Sequence, residues 1–175
     1  MQILSLTSVT SLMDELLLQP QYAASKEVIV LTADHQTAGR GQGTHLWHSA
    51  PGENLLLGIL WPNPPYSVGE QHLISRRVAD AVCCTLAPLL APHGLSPWVK
   101  PPNDIWVNQS KIAGLLIEHD VQGTSILRTR IGIGLNVNEA SFPADLPNPC
   151  SLRTLTGLSF SRANLLSELL SQFAF

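Results

Sequence analysis

Prolines, glycines and asparagines divide the chain into short apolar segments. "EVIVLTAD" (27–34) and "NLLLGILW" (54–61) are two of them, and "PWVK" (97–100) is shorter. Turn-bounded apolar runs of about four to eight residues are typical of buried strands. "DIWVNQSKIAGLLIEHD" (104–120) predicts two strands joined by a tight Asn-Gln-Ser turn, and "SILRTRIGIGLNVN" (125–138) predicts a further strand. This hairpin spacing indicates a largely antiparallel sheet.

Segments with helical spacing lie near both ends of the chain. "TSLMDELLLQ" (10–19) starts with Ser11 and Asp14, a weak capping signal, and Pro20 follows as a stop. In "SRANLLSELLSQF" (161–173) the apolar side chains recur on one helical face.

The strongest helix signal lies in the middle of the chain. Ser67 and Glu70 form a capping box before an apolar-periodic stretch, and Pro88 is expected to end that helix. Strands with hairpin spacing plus two or three helices predict an α+β fold, with a mixed, largely antiparallel sheet packed against the helices. No linker or repeat interrupts the pattern, so we expect one domain over residues 1–175.

Composition excludes several classes of protein. The net charge is −3 and Lys and Arg form no run, which argues against nucleic-acid binding. No apolar stretch reaches the roughly 18 to 20 residues that span a bilayer, and no basic residue precedes Lys26 as in a secretory signal. Cys83 and Cys84 are adjacent, and His45 and His48 lack a third ligand nearby, so neither pair predicts a metal site. We expect reduced thiols in a cytoplasmic protein.

The first segment that could carry chemistry is the glycine-rich loop "AGRGQG". Its glycines leave backbone N–H groups unobstructed for an anion, and Arg40 adds a planar donor fork suited to phosphate or carboxylate. The loop matches neither a Walker A sequence nor a dinucleotide-binding fingerprint. Glycine-rich turns are common, so on residue types alone a plain turn is favoured over a ligand-binding loop.

Two later segments leave alternatives open in the same way. In "KPPNDIWVNQSKIAGLLIE" (100–118), Lys111 is either a solvated edge-strand lysine or a cation aimed into a site. Asp104 in a phosphate site would hold Mg²⁺ or orient a lysine. In "GIGLNVN" (132–138), small residues would let something approach the backbone closely, or form a glycine-bulged strand.

Taken together and in this order, the three segments resemble the catalytic domain of biotin protein ligases, in the biotin and lipoate ligase superfamily. The match consists of "QTAGRGQG", then "W.S..G.NL", then "K.PND" with "KIAGLLIE", then "GIGLNVN". The resemblance implies a fold like that of class II aminoacyl-tRNA synthetases. It also implies that biotin and ATP, with Mg²⁺, form biotinyl-5′-AMP, and that a lysine of a biotin carboxyl carrier protein then takes the biotinyl group.

The resemblance implies site roles residue by residue. Lys111 and Arg40 would be catalytic, and Asp104 would lie near Mg²⁺ held by the phosphates. The residues implied at the biotin end are Ser11, Gln36, Gly39, Arg40, Lys111 and Gly114. The residues implied for ATP and the adenylate are Gly41, Gln42, Trp47, Asn54, Asn103, Asp104 and Asn136.

The sequence departs from the family pattern at several positions. Leu12 and Met13 follow Ser11 where polar residues are usual, Gln42 replaces a common arginine, and Pro101 replaces a tryptophan. Because Gln42 leaves less positive charge in the loop, we expect looser retention of the adenylate. The sequence shows neither the small C-terminal barrel common in the family nor an N-terminal winged helix, so we expect no operator binding. A homodimer is compatible with the resemblance. A lipoate or octanoate ligase and a non-catalytic biotin-binding module are the alternative functions.

Overall fold

The computed structural model describes residues 1–173, which form a sheet with helices on both faces. The strands of this part are β1 Gln2–Val9, β2 Ile29–Gln36, β3 Gly39–Arg40, β4 Leu46–Trp47, β5 Leu55–Pro62, β6 Pro97–Lys100, β7 Asp104–Val107, β8 Ser110–Gln122 and β9 Ser125–Leu135. The helices are α1 Leu12–Leu18, α2 Pro20–Ala23, α3 Gln71–Leu90, α4 Leu152–Thr156 and α5 Arg162–Ser171. Among residues 1–173, none of the helices combines the length and the hydropathy of a membrane-spanning segment.

Seven strands form the main sheet in the order β1-β2-β5-β9-β8-β7-β6, and β3 pairs with β4 in a separate hairpin. Only β1 and β2 run parallel, whereas the remaining neighbours in the main sheet are antiparallel. The predicted mixed, largely antiparallel sheet is therefore confirmed. The sequence patterns did not predict β1, because this edge strand is mostly exposed and has no continuous apolar run.

The two faces of the sheet are covered by different helices. Side chains of α3, α4 and α5 pack against one face, where Leu57, Ile59 and Ile133 are buried. On the other face, α1 packs through Leu12 and Leu16 against β2 and β5. Because β5 lies between both layers, all its residues from Leu55 to Trp61 are buried, which explains its unbroken apolar sequence.

The capping box before α3 is confirmed. The backbone N–H and the hydroxyl of Ser67 both donate to the Glu70 carboxylate, at 2.9 and 2.7 Å. These hydrogen bonds lower the pKa of Glu70. A short 3₁₀ turn, Val68–Glu70, leads from this box into the helix.

The prediction that Pro88 ends this helix is wrong, because α3 continues to Leu90. Proline removes one backbone N–H and crowds the carbonyl four residues earlier, which belongs to the exposed Cys84. Leu86 and Leu90 are fully buried, and their burial outweighs this local cost. Gly94, with φ of 70°, closes the following 3₁₀ turn in the left-handed conformation.

The start of α1 also differs from the prediction. Ser11 occupies the N-cap position, but its hydroxyl makes no cap hydrogen bond, and Asp14 forms an ion pair with Arg40 instead. The side chain of Gln36, at the end of β2, accepts a hydrogen bond from the Leu12 N–H at 2.8 Å. The cap therefore comes from a residue distant in sequence, which local pattern cannot predict. The helix ends at Leu18, before Pro20, as expected.

The three cysteines are free, as predicted from their spacing. Burial raises the pKa of the Cys150 thiol to about 12, and burial is also the main reason that the pKa of Cys83 rises to about 11. Both thiols are therefore protonated at neutral pH.

Candidate active site

A cavity of about 630 Å³ opens on the face of the sheet that carries α1. Its walls are the start of α1, the β3–β4 hairpin and the β6–β7 connection. The first half of β8, the last part of β9 and the segment 142–149 complete them. Most of the predicted site residues line it, namely Gln36, Arg40, Gly41, Gln42, Trp47, Asn103, Asp104, Lys111, Gly114 and Asn136. The structure therefore brings together segments that are far apart in sequence.

Lys111 is held at the cavity wall from both sides of its backbone. Its N–H donates to Asn148 O at 2.8 Å, and its carbonyl accepts from the Cys150 N–H at 2.9 Å. Its ammonium lies 2.7 Å from the Asp104 carboxylate and 5.5 Å from the centre of the Trp47 ring. This position differs from that of a solvated lysine at a sheet edge. These contacts therefore favour a lysine aimed into a site over a solvated edge-strand lysine.

Arg40 is bound to two carboxylates. Its guanidinium donates to Asp14 at 3.1 Å and also to Glu118. The hairpin that carries Arg40 is thereby tied to α1 and to β8 at once. Two acidic side chains therefore compensate the charge of Arg40, and the sequence patterns did not predict either of these partners.

The glycine-rich loop forms the β3–β4 hairpin. The Gly41 N–H donates to His45 O at 2.8 Å, and the His45 N–H donates to Gln42 O at 3.2 Å. The first of these contacts uses a glycine N–H that the sequence suggested as a donor to an anion. Gly43 has φ of 64° at the hairpin tip, where an L side chain would be strained.

The Trp47 indole lies on two glycines that face each other across β8 and β9. A Cβ at Gly134 would come within 2.3 Å of the ring, and one at Gly114 within 2.8 Å. A Cβ at Gly132 would lie 3.1 Å from the sulfur of Met13 in α1. The predicted close approach at "GIGLNVN" is therefore made by the protein's own side chains. The indole N–H of Trp47 is buried and has no hydrogen-bond partner within residues 1–173.

Ser11 and Gly39 lie next to the cavity, although neither lines it. Ser11 is fully buried, and its hydroxyl has no partner in the described part of the chain. Gly39 packs against Gln36 and the backbone of Trp47. A buried hydroxyl without a partner is costly. A ligand polar group that reached Ser11 from the adjoining part of the cavity would therefore gain a hydrogen bond.

Two of the predicted nucleotide-side asparagines line the cavity. The Asn103 amide donates to Leu115 O at 2.8 Å, which fixes the loop before β7. The Asn136 amide donates to Cys150 O at 2.9 Å, while its side-chain oxygen is buried without a partner among the described residues. That oxygen is an acceptor ready for a ligand donor.

The position of Asn54 differs from the prediction. Asn54 is fully buried outside the cavity lining, and its side chain is engaged by the protein. Its amide group donates to Ser49 and to Glu139, and its oxygen accepts from the Val137 N–H at 2.9 Å. In this position Asn54 joins two loops, and nothing in the local sequence predicts these contacts.

Several residues of the cavity wall had no predicted site role, among them Lys100, Trp106 and the segment 142–149. The Lys100 ammonium lies 3.6 Å from the centre of the Trp106 ring. The Trp106 indole N–H is buried and unpartnered within residues 1–173. The available signal was that both residues fall within the "KPPNDIW" motif itself.

The cavity offers little to a metal ion by itself. Asp104 is the only carboxylate among the described residues that line it, and residues 1–173 contain no cluster of three His, Cys, Asp or Glu suited to a metal. His48 is hydrogen-bonded at 3.0 Å to the buried carboxylate of Glu139. A divalent ion here would need ligands from a bound phosphate in addition to Asp104, which is the arrangement that the family resemblance implies.

Comparison with known proteins agrees with this geometry. The chain is 33% identical over 151 residues to the bifunctional ligase/repressor BirA of Bacillus spizizenii, which covers 84% of this chain and 45% of that protein. It is 30% identical over 158 residues to the biotin–[acetyl-CoA-carboxylase] ligase of Mycobacterium tuberculosis, covering 90% of this chain and 57% of that protein. The chain thus spans about half the length of these curated relatives.

Solved structures are similar over nearly the whole chain. The biotin protein ligase of Leishmania major, solved in complex with biotinyl-5-AMP, has a TM-score of 0.80 and 25% identity over 98% of this chain and 72% of that one. The model of the biotin/lipoate A/B protein ligase family matches residues 5–138, well over half of the sequence. The chain therefore belongs to the biotin/lipoate A/B protein ligase family.

Proposed function

We propose that this chain ligates biotin to a lysine of a biotin carboxyl carrier protein, using ATP and passing through biotinyl-5′-AMP. The observation that carries the proposal is the Lys111 ammonium, fixed on the wall of a cavity that the family motifs jointly form. The names of the relatives and the adenylate in the similar structure support the same chemistry. We further propose that residues 1–175 act as one catalytic domain.

The first step joins two anions. A carboxylate oxygen of biotin attacks the α-phosphorus of ATP, the bond to the β-phosphate oxygen breaks, and pyrophosphate leaves with that electron pair. Lys111 would stabilise the negative charge that develops on the phosphoryl and carboxyl oxygens. Since Lys111 is paired with Asp104 before ligands arrive, the ligand oxygens would replace or share this partner.

ATP arrives with Mg²⁺, which we propose is held mainly by the phosphates, with Asp104 as the protein ligand. The ion would neutralise phosphate charge and orient the triphosphate. Asp104 thereby serves two partners, because it also orients Lys111 at 2.7 Å. The unpartnered Asn136 oxygen and the Trp47 ring would contact the adenine, and Ser11 with Gln36 would contact the ring end of biotin.

The second step transfers the acyl group. The neutral amine of the carrier lysine attacks the carbonyl carbon of the mixed anhydride, the bond to the AMP oxygen breaks, and an amide forms with loss of a proton. The β3–β4 hairpin would shield the anhydride from water until the carrier docks. Gln42 on this hairpin brings no positive charge, so we expect the adenylate to be held less tightly than in relatives with arginine there.

We place this reaction in the cytoplasm, where ATP and acceptor carriers are available. The three free cysteines support a reducing compartment.

The decisive experiment supplies biotin and Mg-ATP to the 175-residue chain and measures pyrophosphate release. Transfer of biotin to a purified carrier domain is then followed by mass. Release that depends on biotin, followed by a carrier heavier by one biotinyl group, is the expected result. Release with lipoate or octanoate and none with biotin would instead assign the chain to the lipoate branch. Folded protein that binds biotin without releasing pyrophosphate would be a binding module.

A further inference from the structure

We propose that Lys100 is the binding residue for the β- and γ-phosphates of ATP and for the pyrophosphate that leaves. This inference rests on the proposed function, because it names the part of the cavity that holds the leaving group. It assigns a role to a residue that the motif analysis left without one.

The charges of the cavity single out Lys100. Three Lys or Arg side chains line the cavity, and two of them are already paired. Arg40 is bound by Asp14 and Glu118, and Lys111 by Asp104. Among the described residues, Lys100 has no carboxylate within ion-pair distance. It is therefore the lysine or arginine of the wall whose charge is not compensated by the protein.

The fold holds the backbone of Lys100 in a strand, while its side chain is exposed to solvent. Lys100 is the last residue of β6 and lies opposite Asp104 across the β6–β7 pair. Two prolines follow it, and each fixes its own φ. The residue is exposed at the mouth of the cavity, whereas the Lys111 side chain is only 30% exposed. A solvated leaving group departs through such a mouth.

The present contact of Lys100 is one that an anion can replace. Its ammonium rests over the Trp106 ring, 3.6 Å from the ring centre, in a cation–π contact. A phosphate oxygen offers the ammonium a charge-assisted hydrogen bond, which is stronger than a contact with a ring. The buried Trp106 N–H, unpartnered within residues 1–173, shows that this corner holds unused donor capacity. We infer that Lys100 turns from the ring to the phosphates when ATP binds.

The chemistry of the reaction separates Lys100 from Lys111. Lys111 acts where charge develops, at the α-phosphate and the acyl oxygens, so both half-reactions need it. Lys100 acts only while the β- and γ-phosphates are present. Transfer from preformed biotinyl-5′-AMP to the carrier should therefore not depend on Lys100.

The test compares Lys100→Met, which removes the charge and keeps the length, with Lys100→Arg and wild type. Lys26→Met is the matched control, because Lys26 is exposed and lies outside the cavity lining. We expect Lys100→Met to raise the KM for ATP and the inhibition constant of pyrophosphate each by about tenfold, the effect of one lost charge-assisted hydrogen bond. Biotin affinity and transfer from preformed biotinyl-5′-AMP should stay unchanged, and Lys100→Arg should restore most of the ATP affinity.

Unchanged ATP and pyrophosphate constants in Lys100→Met would overturn the inference. An equal loss of biotin affinity would overturn it too, because that pattern indicates general damage to the site. Should the wild-type chain release no pyrophosphate, the proposed function fails separately. Titration of wild type and Lys100→Met with pyrophosphate in a calorimeter then still decides the role of Lys100: equal affinities refute it, and weaker binding by the variant supports it.

Discussion

At the scale of single residues, Lys111 combines a fixed backbone with a side chain that contributes little to the fold. Its ion pair with Asp104 joins groups that are 30% and 22% exposed. Such pairs contribute at most about 1 kcal/mol. Lys111→Ala should therefore unfold in urea within about 1 kcal/mol of wild type, while pyrophosphate release falls on the order of 10²- to 10³-fold. Lys26→Ala serves as the control. Wild-type activity in Lys111→Ala would show that Lys111 is a solvated lysine without a catalytic role.

The absence of a side chain at Gly134 matters, because a Cβ there would lie 2.3 Å from the nearest atom of the Trp47 ring. Gly134→Ala should displace the indole and cost about 1 to 3 kcal/mol of stability through overpacking. Because the displaced ring borders the reacting groups, we expect pyrophosphate release to fall about 10²-fold.

Gly69→Ala is the matched control for this substitution. A Cβ at Gly69 would meet nothing closer than the Ser67 hydroxyl at 3.9 Å, and Gly69 does not line the cavity. Pyrophosphate release and urea unfolding are measured on both variants. Full activity in Gly134→Ala would mean that the position of Trp47 on these strands is not required for the reaction.

At the scale of elements, the buried carboxylate of Glu139 joins the loop before β5 to the loop after β9. It accepts from the His48 ring at 3.0 Å and from the Ala50 N–H at 3.2 Å, and it also accepts from the Asn54 amide. These contacts fix the C-terminal side of the β3–β4 hairpin, while Arg40 fixes its other side through Asp14 and Glu118. The hairpin is thereby anchored at both ends.

Asn54→Ala should weaken this anchor. The substitution removes one of the donors to the buried Glu139 carboxylate and leaves the Val137 N–H without its side-chain acceptor, so we expect the free energy of unfolding in urea to fall by about 1 to 3 kcal/mol. The KM for ATP of the folded variant should stay near that of wild type, because Asn54 does not line the cavity. Asn164→Ala, at an exposed site on α5, should change stability by less than about 0.5 kcal/mol. A raised KM with unchanged stability would instead support a direct nucleotide contact.

Local pattern predicted the elements whose burial is simple. The apolar run of β5 and the Ser67 capping box were correctly interpreted because their causes lie within a few residues. Strand β1 was missed because it is held by parallel pairing with β2 rather than by its own apolar run. Pro88 was misjudged because the burial of Leu90 is a tertiary effect.

For the candidate site, the sequence predicted which segments meet but not which side chains pair. The motif segments were brought together as expected, since the family resemblance supplied their relation. The partners of each side chain were not predictable, because the Arg40 pair with Glu118 spans 78 positions and the Asn54 pair with Glu139 spans 85. Close approach at Gly134 was predicted correctly, but the approaching group proved to be Trp47.

At the scale of the whole molecule, a network of ion pairs links α1 to the second half of β8 and the middle of β9. It runs from Asp14 through Arg40 and Glu118 to Arg130 and Asp120. Arg130 is nearly buried and donates two hydrogen bonds to Asp120, at 2.8 and 2.9 Å. Protonation of the carboxylates in this network of ion pairs must therefore weaken the fold.

The pH dependence of stability follows from two groups beside Arg130. The hydrogen bonds from Arg130 are the main reason that the pKa of Asp120 lies below its ordinary 3.8. Burial, followed by the charge of Arg130, lowers the pKa of His119 below its ordinary 6.5. For both groups the unfolded chain binds the proton more readily than the folded protein. Their contributions are complete above the ordinary pKa and are lost as pH falls through the folded one.

We therefore expect the free energy of unfolding to fall as pH is lowered from 6.5, with a second loss below 3.8. His119→Gln can keep the hydrogen bond to Thr129 and cannot be protonated, so it should flatten the first decline and leave the second. Asp120→Asn should reduce stability above pH 3.8 and flatten the second decline. Urea unfolding across this pH range measures both, with exposed His93→Gln as the control. If the His119→Gln profile runs parallel to that of wild type, the acid sensitivity arises elsewhere in the molecule.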